Sequence, residues 1–166
     1  AREWFPDFKI NFSENILRAS DDSVGIISWS EGALRREFSI REVKQASLSI
    51  ARHLLDIGVK PGDRVFAYLP NIPESVICSL GAAAIGATWS SSGTDYEVDG
   101  LEARASRVLP TVLVATRSYQ WRGVQIDARE TIRHVVQRVS SIKHVVLIDY
   151  LGKGEDSGES VLGGVP

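Results

Sequence analysis

Arg64-Val65-Phe66-Ala67-Tyr68-Leu69-Pro70-Asn71 is followed, one helix later, by Ala87-Thr88-Trp89-Ser90-Ser91-Ser92-Gly93, and the reading of this pair decides the fold. Each segment is a short β-rich run, stopped by Pro70 in the first case and Gly93 in the second. Residues 76–85 between them are apolar nearly all round and rich in Gly and Ala. A helix of that kind is buried, and its small residues let it approach a sheet closely. Asn71 is placed to cap it, with Pro73 in its first turn, where the missing N–H costs nothing. Two strands joined through a buried helix form a right-handed crossover and lie parallel.

The same alternation continues outward from this unit. Upstream, Val24-Gly25-Ile26-Ile27-Ser28-Trp29 reads as a strand, and Ser30-Glu31-Gly32 turns the chain into a second short run over residues 33–38. Ser39 stands three residues before Glu42, a capping box in which hydroxyl and carboxylate each satisfy an orphan backbone donor. Ile40, Val43, Ser47, Ile50, Leu54 and Ile57 follow at steps of three and four, a stripe wide enough to face a sheet. Gly58 supplies a left-handed stop, and Pro61-Gly62-Asp63 forms the turn beyond it. Downstream, Thr94 and Glu97 repeat the capping box, Val98, Leu101, Ala105 and Val108 make the stripe, and Pro110 ends it. Thr111-Val112-Leu113-Val114-Ala115 is a continuous apolar strand. Residues 119–123 read as an exposed loop. Asp127 with Glu130 opens a last helix, striped by Ile132, Val135, Val136 and Val139, which leads to a strand over residues 144–149. The fold class is therefore α/β, a mostly parallel sheet with helices on both faces. A leading segment occupies residues 1–23, the parallel subdomain residues 24–151, and a flexible tail rich in Gly, Ser and acid residues 152–166.

The chain has 166 residues, of which 43% are apolar and 24% charged, a globular composition long enough to bury about 70% of the surface of its unfolded form. Nineteen Lys and Arg against 21 Asp and Glu leave a net charge of -2, with no general pull toward nucleic acid or anionic lipid. Cys78 is the one cysteine, so an internal disulfide is impossible and a reducing, cytoplasmic setting is the natural reading. Ala1-Arg2-Glu3-Trp4-Phe5-Pro6 has no apolar core of signal-peptide type, and residues 76–89 are too few to span a bilayer.

In a doubly wound sheet, ligands sit beyond the carboxyl ends of the strands. That directs attention to residues 70–72, 90–95 and 116–123. No G-x-G-x-x-G follows a strand there, and no G-x-x-x-x-G-K-[ST] occurs; Gly152-Lys153-Gly154 lacks both the upstream glycine and the hydroxyl. Ser90-Ser91-Ser92-Gly93 lacks the elbow that exposes a nucleophilic serine, and its hydroxyls read as local backbone partners. His53, His134 and His144 share no metal-ligand spacing, and Cys78 reads as a small core residue. Arg117 and Arg122, with Tyr119 and Trp121 between them, suit a phosphorylated adenosine through charge and stacking; the alternative is a solvated loop with aromatic anchors.

Several segments resemble acetoacetyl-CoA synthetases, of the acyl-CoA synthetase branch of the adenylate-forming superfamily. They are Trp4-Phe5-Pro6 with Ile10-Asn11-Phe12-Ser13-Glu14-Asn15-Ile16-Leu17, then Gly58-Val59-Lys60-Pro61-Gly62-Asp63-Arg64-Val65, then Tyr68-Leu69-Pro70-Asn71-Ile72-Pro73-Glu74, then residues 82–91 and 119–127. The resemblance covers residues 4–151 and implies the N-terminal subdomain of the adenylate-forming fold. It implies a parent ligase, with a place in lipid and fatty acid metabolism, whose substrates are acetoacetate or a similar short acid, ATP and CoA, with Mg2+ assisting. The acid attacks ATP to give an acyl-adenylate and pyrophosphate, and the CoA thiol then displaces AMP. The family's Ser/Thr/Gly-rich phosphate loop, ribose-binding aspartate and late catalytic lysine are not found in this sequence, so no catalytic residue is assigned and the chain alone is expected to be inert, holding none of these cofactors firmly. What the resemblance carries over is part of a CoA site: Gly93, Thr94 and Asp95 after the fourth strand, and Gln120 where relatives have an arginine, with Arg122 close by as a substitute. The stretch Gly93-Thr94-Asp95-Tyr96-Glu97 departs from the Ser-Pro-Asp-Phe-Gly-like family pattern, and Asp95 and Glu97 repel phosphate unless they face away. An uncovered apolar flank, open to self-association, is also expected. The alternative is a stand-alone, non-catalytic α/β module that binds a nucleotide or a protein.

Overall fold

The structure, a computed structural model, describes residues 7, 9–31, 35–149, 151 and 162–164. In chain order the elements are α1 (Phe12–Ile16), β1 (Val24–Trp29), β2 (Arg35–Ser39), α2 (Ile40–Asp56), β3 (Arg64–Tyr68), α3 (Pro73–Ala84) and β4 (Thr88–Ser92). They continue with α4 (Val98–Val108), β5 (Val112–Thr116), β6 (Ser118–Trp121), β7 (Val124–Asp127), α5 (Arg129–Arg138), β8 (His144–Ile148) and β9 (Leu162–Gly164). The Trp4-Phe5-Pro6 opening, residues 32–34, the residues 152–154 fragment and the greater part of the expected tail lie outside the described residues. Within that tail, Leu162–Gly164 pair antiparallel with β8, which composition alone did not announce.

The central sheet has the order β4-β3-β5-β8-β9, and its first four strands are parallel. Its two faces follow from strand alternation. Val65, Ala67 and Leu69 of β3 and the segment after it join Val112 and Val114 against Leu54 of α2 and Cys78 and Ala82 of α3. Phe66 and Tyr68 point the other way, with Leu113 and Ala115, against Leu101 and Ala105 of α4 and Ile132 and Val135 of α5. Both sides are covered, which is why these strands are continuous apolar runs. Burial of a residue such as Leu54, 1% exposed, contributes about 2 kcal/mol.

A third, smaller layer lies outside α2 and α3, where Leu17, Val43, Ile77 and Leu80 gather with Ile26 and Phe38 of the β1–β2 hairpin. Polar groups fasten it. Asn11 accepts the Glu14 N–H at 3.1 Å to cap α1 and donates to the Ala83 and Ala84 carbonyls at 3.0 and 3.2 Å. The Ser13 hydroxyl donates to the Leu80 carbonyl at 2.6 Å. The leading segment thus reaches the carbonyls of the last turns of α3, among them that of Ala84 at its C-terminal end. Arg36 of β2 grips Glu74 in the first turn of α3 through two bonds of 2.6 and 2.9 Å, a fork geometry favoured by the helix dipole.

The capping box at Ser39 and Glu42 forms, and it holds the Glu42 carboxyl below its usual range. The other helix starts differ from expectation. Ile72, not Asn71, precedes α3, because the Ile72 N–H and the Ser75 hydroxyl both close on the Pro70 carbonyl and turn Asn71 outward. No capping box forms at Thr94 and Glu97; α4 starts at Val98, and the Thr94 carbonyl instead accepts the Tyr119 hydroxyl at 3.2 Å. Ala128 precedes α5, although Asp127 does accept the Arg129 N–H at 2.9 Å, and the Arg129 guanidinium holds its carboxyl down to about 2. Residues 119–123 are only in part an exposed loop: 119–121 are strand, and Arg122 and Gly123 form an exposed two-residue turn. They belong to the β6–β7 hairpin, in which Tyr119 pairs with Ile126 and is buried among the α4 and α5 side chains.

Candidate functional site

From β3 the chain passes to α3 on one face of the sheet, and from β4 to α4 on the other. The carboxyl ends of these two neighbouring parallel strands open on the same edge of the sheet, where ligands of such folds bind. An open cleft of about 450 Å³ lies there. Its floor and near wall are Pro70, Asn71 and Ile72 with Gly93, Thr94 and Asp95. Gln120 and Trp121 form a second wall, and Ser28 to Glu31 with Arg36 a third. The three loops singled out from the strand ends therefore converge.

Of the residues assigned from resemblance, Gly93, Thr94, Asp95 and Gln120 line this one cleft. A Cβ at Gly93 would meet the Asp95 carboxylate, which lies close over the loop backbone and would have to swing aside. Tyr119 anchors the same loop through Thr94, and its neighbour Tyr68 is buried, with burial and hydrogen bonding to Tyr119 pushing the Tyr68 phenol well up. Arg122 is not in the wall. It occupies the β6–β7 turn at φ 51°, its guanidinium 5.6 Å from the Trp121 ring centre at the rim. Asp95 faces the cleft, whereas Glu97 stands apart at the start of α4.

The wall that sequence reading missed belongs to the β1–β2 hairpin. Trp29, 68% exposed, stands there with Glu31 and Arg36, and Arg36 is engaged with Glu74. The sole local signal was an aromatic residue at the end of a strand before a turn; nothing local places that turn beside Trp121, some 90 residues on. Glu31 accepts the Arg122 N–H at 2.8 Å and the Gly123 N–H at 2.6 Å, joining the two hairpins. His134 lies elsewhere, 2.8 Å from Glu102 between α4 and α5, and burial pushes the Cys78 thiol up to about 12, far from a reactive thiolate. Among the described residues no group of three or more His, Cys, Asp or Glu is placed to hold a metal ion, and no helix is long and apolar enough to cross a membrane.

Residues 18–161 match the family model described as AMP-binding enzyme. Curated relatives include acetoacetyl-CoA synthetases of Mus musculus, 35% identical over 153 residues covering 90% of this chain and 22% of the relative. The acetoacetyl-coenzyme A synthetase of Rhizobium meliloti (strain 1021) is 28% identical over 162 residues, 98% of this chain and 25% of the relative. The chain thus spans about a quarter of the length of the curated relatives it matches. Among solved structures, acetoacetyl-CoA synthetase from Streptomyces lividans superposes with a TM-score of 0.87 at 30% identity, over 99% of this chain and 28% of that one. Brucella canis acyl-CoA synthetase, at 22% identity and a TM-score of 0.71 over 90% of this chain and 26% of that one, shares the fold. A parallel sheet with its cleft beyond the carboxyl ends of β3 and β4, a family match over most of the chain and these relatives lead to one conclusion: the chain belongs to the AMP-binding enzyme family.

Proposed function

We propose that this chain is the amino-terminal portion of an acetoacetate–CoA ligase and that its cleft receives the nucleotide end of coenzyme A. The observation that carries the reading is the gathering of Gly93, Thr94, Asp95 and Gln120 in one crevice, in a chain similar to acetoacetyl-CoA synthetases. Trp29 and Trp121 stand exposed on two walls, flat surfaces on which a purine can stack. Arg122 at the rim supplies a cation that glutamine at position 120 does not.

In the whole ligase, a carboxylate oxygen of the acid attacks the α-phosphorus of ATP and pyrophosphate leaves. The CoA sulfur then attacks the carbonyl carbon of the acyl-adenylate, and AMP leaves. This chain contributes binding and orientation of CoA. Among the described residues no cluster of three or more carboxylate, histidine or cysteine side chains is gathered to hold magnesium. The groups that would neutralise charge at the α-phosphate are absent from the 166 residues, so the chain alone is proposed to be inert, in a cytoplasmic setting.

Isothermal titration of the chain with CoA tests the reading. Binding is expected, weakened about tenfold or more in Arg122→Ala through loss of a charge-assisted bond to phosphate. Absence of heat at any CoA concentration would refute the CoA assignment, and acyl-adenylate formation from ATP and acetoacetate would refute inertness.

A further inference from the structure

The turn that carries Arg122 already holds an anion. Arg122 and Gly123 both have positive φ, 51° and 78°. Their successive N–H groups converge on one carboxylate, that of Glu31, at 2.8 and 2.6 Å. Backbone donors grouped in this way make a concave seat for an oxyanion. The residue type adds to the argument. A two-residue hairpin turn of this conformation favours Asn or Gly at its first position, and arginine there bears a backbone penalty that such residues avoid. What arginine adds is a guanidinium beside the seat, over Trp121 at the rim of the cleft.

Glu31 reaches this seat from the opposite wall, 91 residues away in sequence. Its carboxylate therefore straps the β1–β2 turn to the β6–β7 turn across the cleft. Asp95 also lines the cleft, and Arg36 is engaged by Glu74, which leaves Arg122 as the cation beside the seat. A phosphate cannot use the two N–H groups while Glu31 holds them.

We infer that Glu31 is a built-in competitor for an oxyanion seat formed by Arg122 and Gly123, and that a phosphate group of the ligand takes the seat by displacing it. The inference rests on the reading that the cleft receives a phosphorylated ligand, and it adds a residue that sets affinity and opening of that site. Displacement removes the Glu31 tie between the two turns, so binding is coupled to loss of that tie.

The test uses amide NMR spectra of the full chain and of Glu31→Gln and Glu31→Ala, titrated at constant ionic strength with inorganic pyrophosphate and, separately, with CoA. Glu31 is exposed, so both variants are expected to fold, checked by circular dichroism. Pyrophosphate is expected to shift the Arg122 and Gly123 signals in Glu31→Ala at concentrations on the order of tenfold lower than in the parent chain, because the seat is no longer self-occupied, and by a smaller factor in Glu31→Gln, whose amide oxygen is a neutral and weaker acceptor. Equal affinities in all three chains would overturn the inference, and so would weaker binding in Glu31→Ala, which would make Glu31 a strut. If pyrophosphate obeys the expectation but CoA binds none of the chains, the seat stands and the CoA reading fails. If CoA binds the cleft of all three equally, the CoA reading stands and the competitor fails.

Discussion

Gly81 and Gly100 both interrupt helices, and a methyl group added at each meets different surroundings. At Gly81 in α3 it would lie 2.7 Å from Ile50 Cγ2 and 2.9 Å from the Ser47 carbonyl oxygen of α2. One of those neighbours is backbone, so α2 and α3 would have to move apart. Overpacking of this kind costs about 1–3 kcal/mol, against a helix-propensity gain of about 1 kcal/mol. Gly81→Ala is therefore expected to lower stability. At Gly100 in α4 the nearest atom is Tyr96 Cδ1 at 3.4 Å, an ordinary contact. Gly100→Ala is expected to gain up to about 1 kcal/mol. Urea midpoints at unchanged slope measure both, and a stabilising Gly81→Ala would mean the two helices do not touch as described. The close approach was legible in the run of small residues over 76–85, but not which of its glycines stands at the contact, because that depends on where Ile50 falls.

Two sequence patterns that look alike behave differently at the scale of the element. Ser39 with Glu42 and Thr94 with Glu97 share the capping spacing, yet only the first is realised. Helix α2 begins where β2 ends, with nothing else competing for the Ser39 groups, and the Ser39 N–H donates to Glu42 Oε2 at 2.7 Å. Thr94 is held instead through its carbonyl by the hydroxyl of Tyr119, 25 residues on, a contact that arises from distant packing. Ser39→Ala is expected to cost about 1 kcal/mol, and Thr94→Ala no more than about 0.5 kcal/mol, in the same unfolding measurement. The β6–β7 hairpin escaped sequence reading for a related reason. Its apolar positions, Tyr119 and Trp121 before the turn and Val124 and Ile126 after it, do alternate in mirrored register. Arg-Gly at the centre is a weak turn signal beside Asn-Gly, and the strength of that signal is what sequence reading relies on. The cleft's strand-end loops were legible because strand order alone dictates where a doubly wound sheet binds. The third wall was not, because the β1–β2 hairpin lies outside the central sheet.

At the scale of the whole molecule, two groups stand out among the exposed apolar side chains. Trp29 and Trp121, 68% and 52% exposed, line the cleft, where a ligand can cover them. Ile10, Phe12 and Ile16, between 47% and 66% exposed, have no such cover. Phe12 and Ile16 are four residues apart on α1 and share its outer face, while Ser13 and Leu17 face inward. A grouped apolar face of this sort marks a contact surface, and we propose that it mediates association, with a second copy as the simplest occupant when the chain is alone in solution. Sedimentation is expected to show mass rising with concentration, together with binding of an apolar dye. Phe12→Gln with Ile16→Gln is expected to suppress both without unfolding the chain, since α1 is held by Asn11 and Ser13 from its inner side. A parent chain that remains monomeric and silent to the dye at high concentration would refute the proposal. Association that persists in the double variant would move the contact to the cleft hairpins, where CoA would then compete with it.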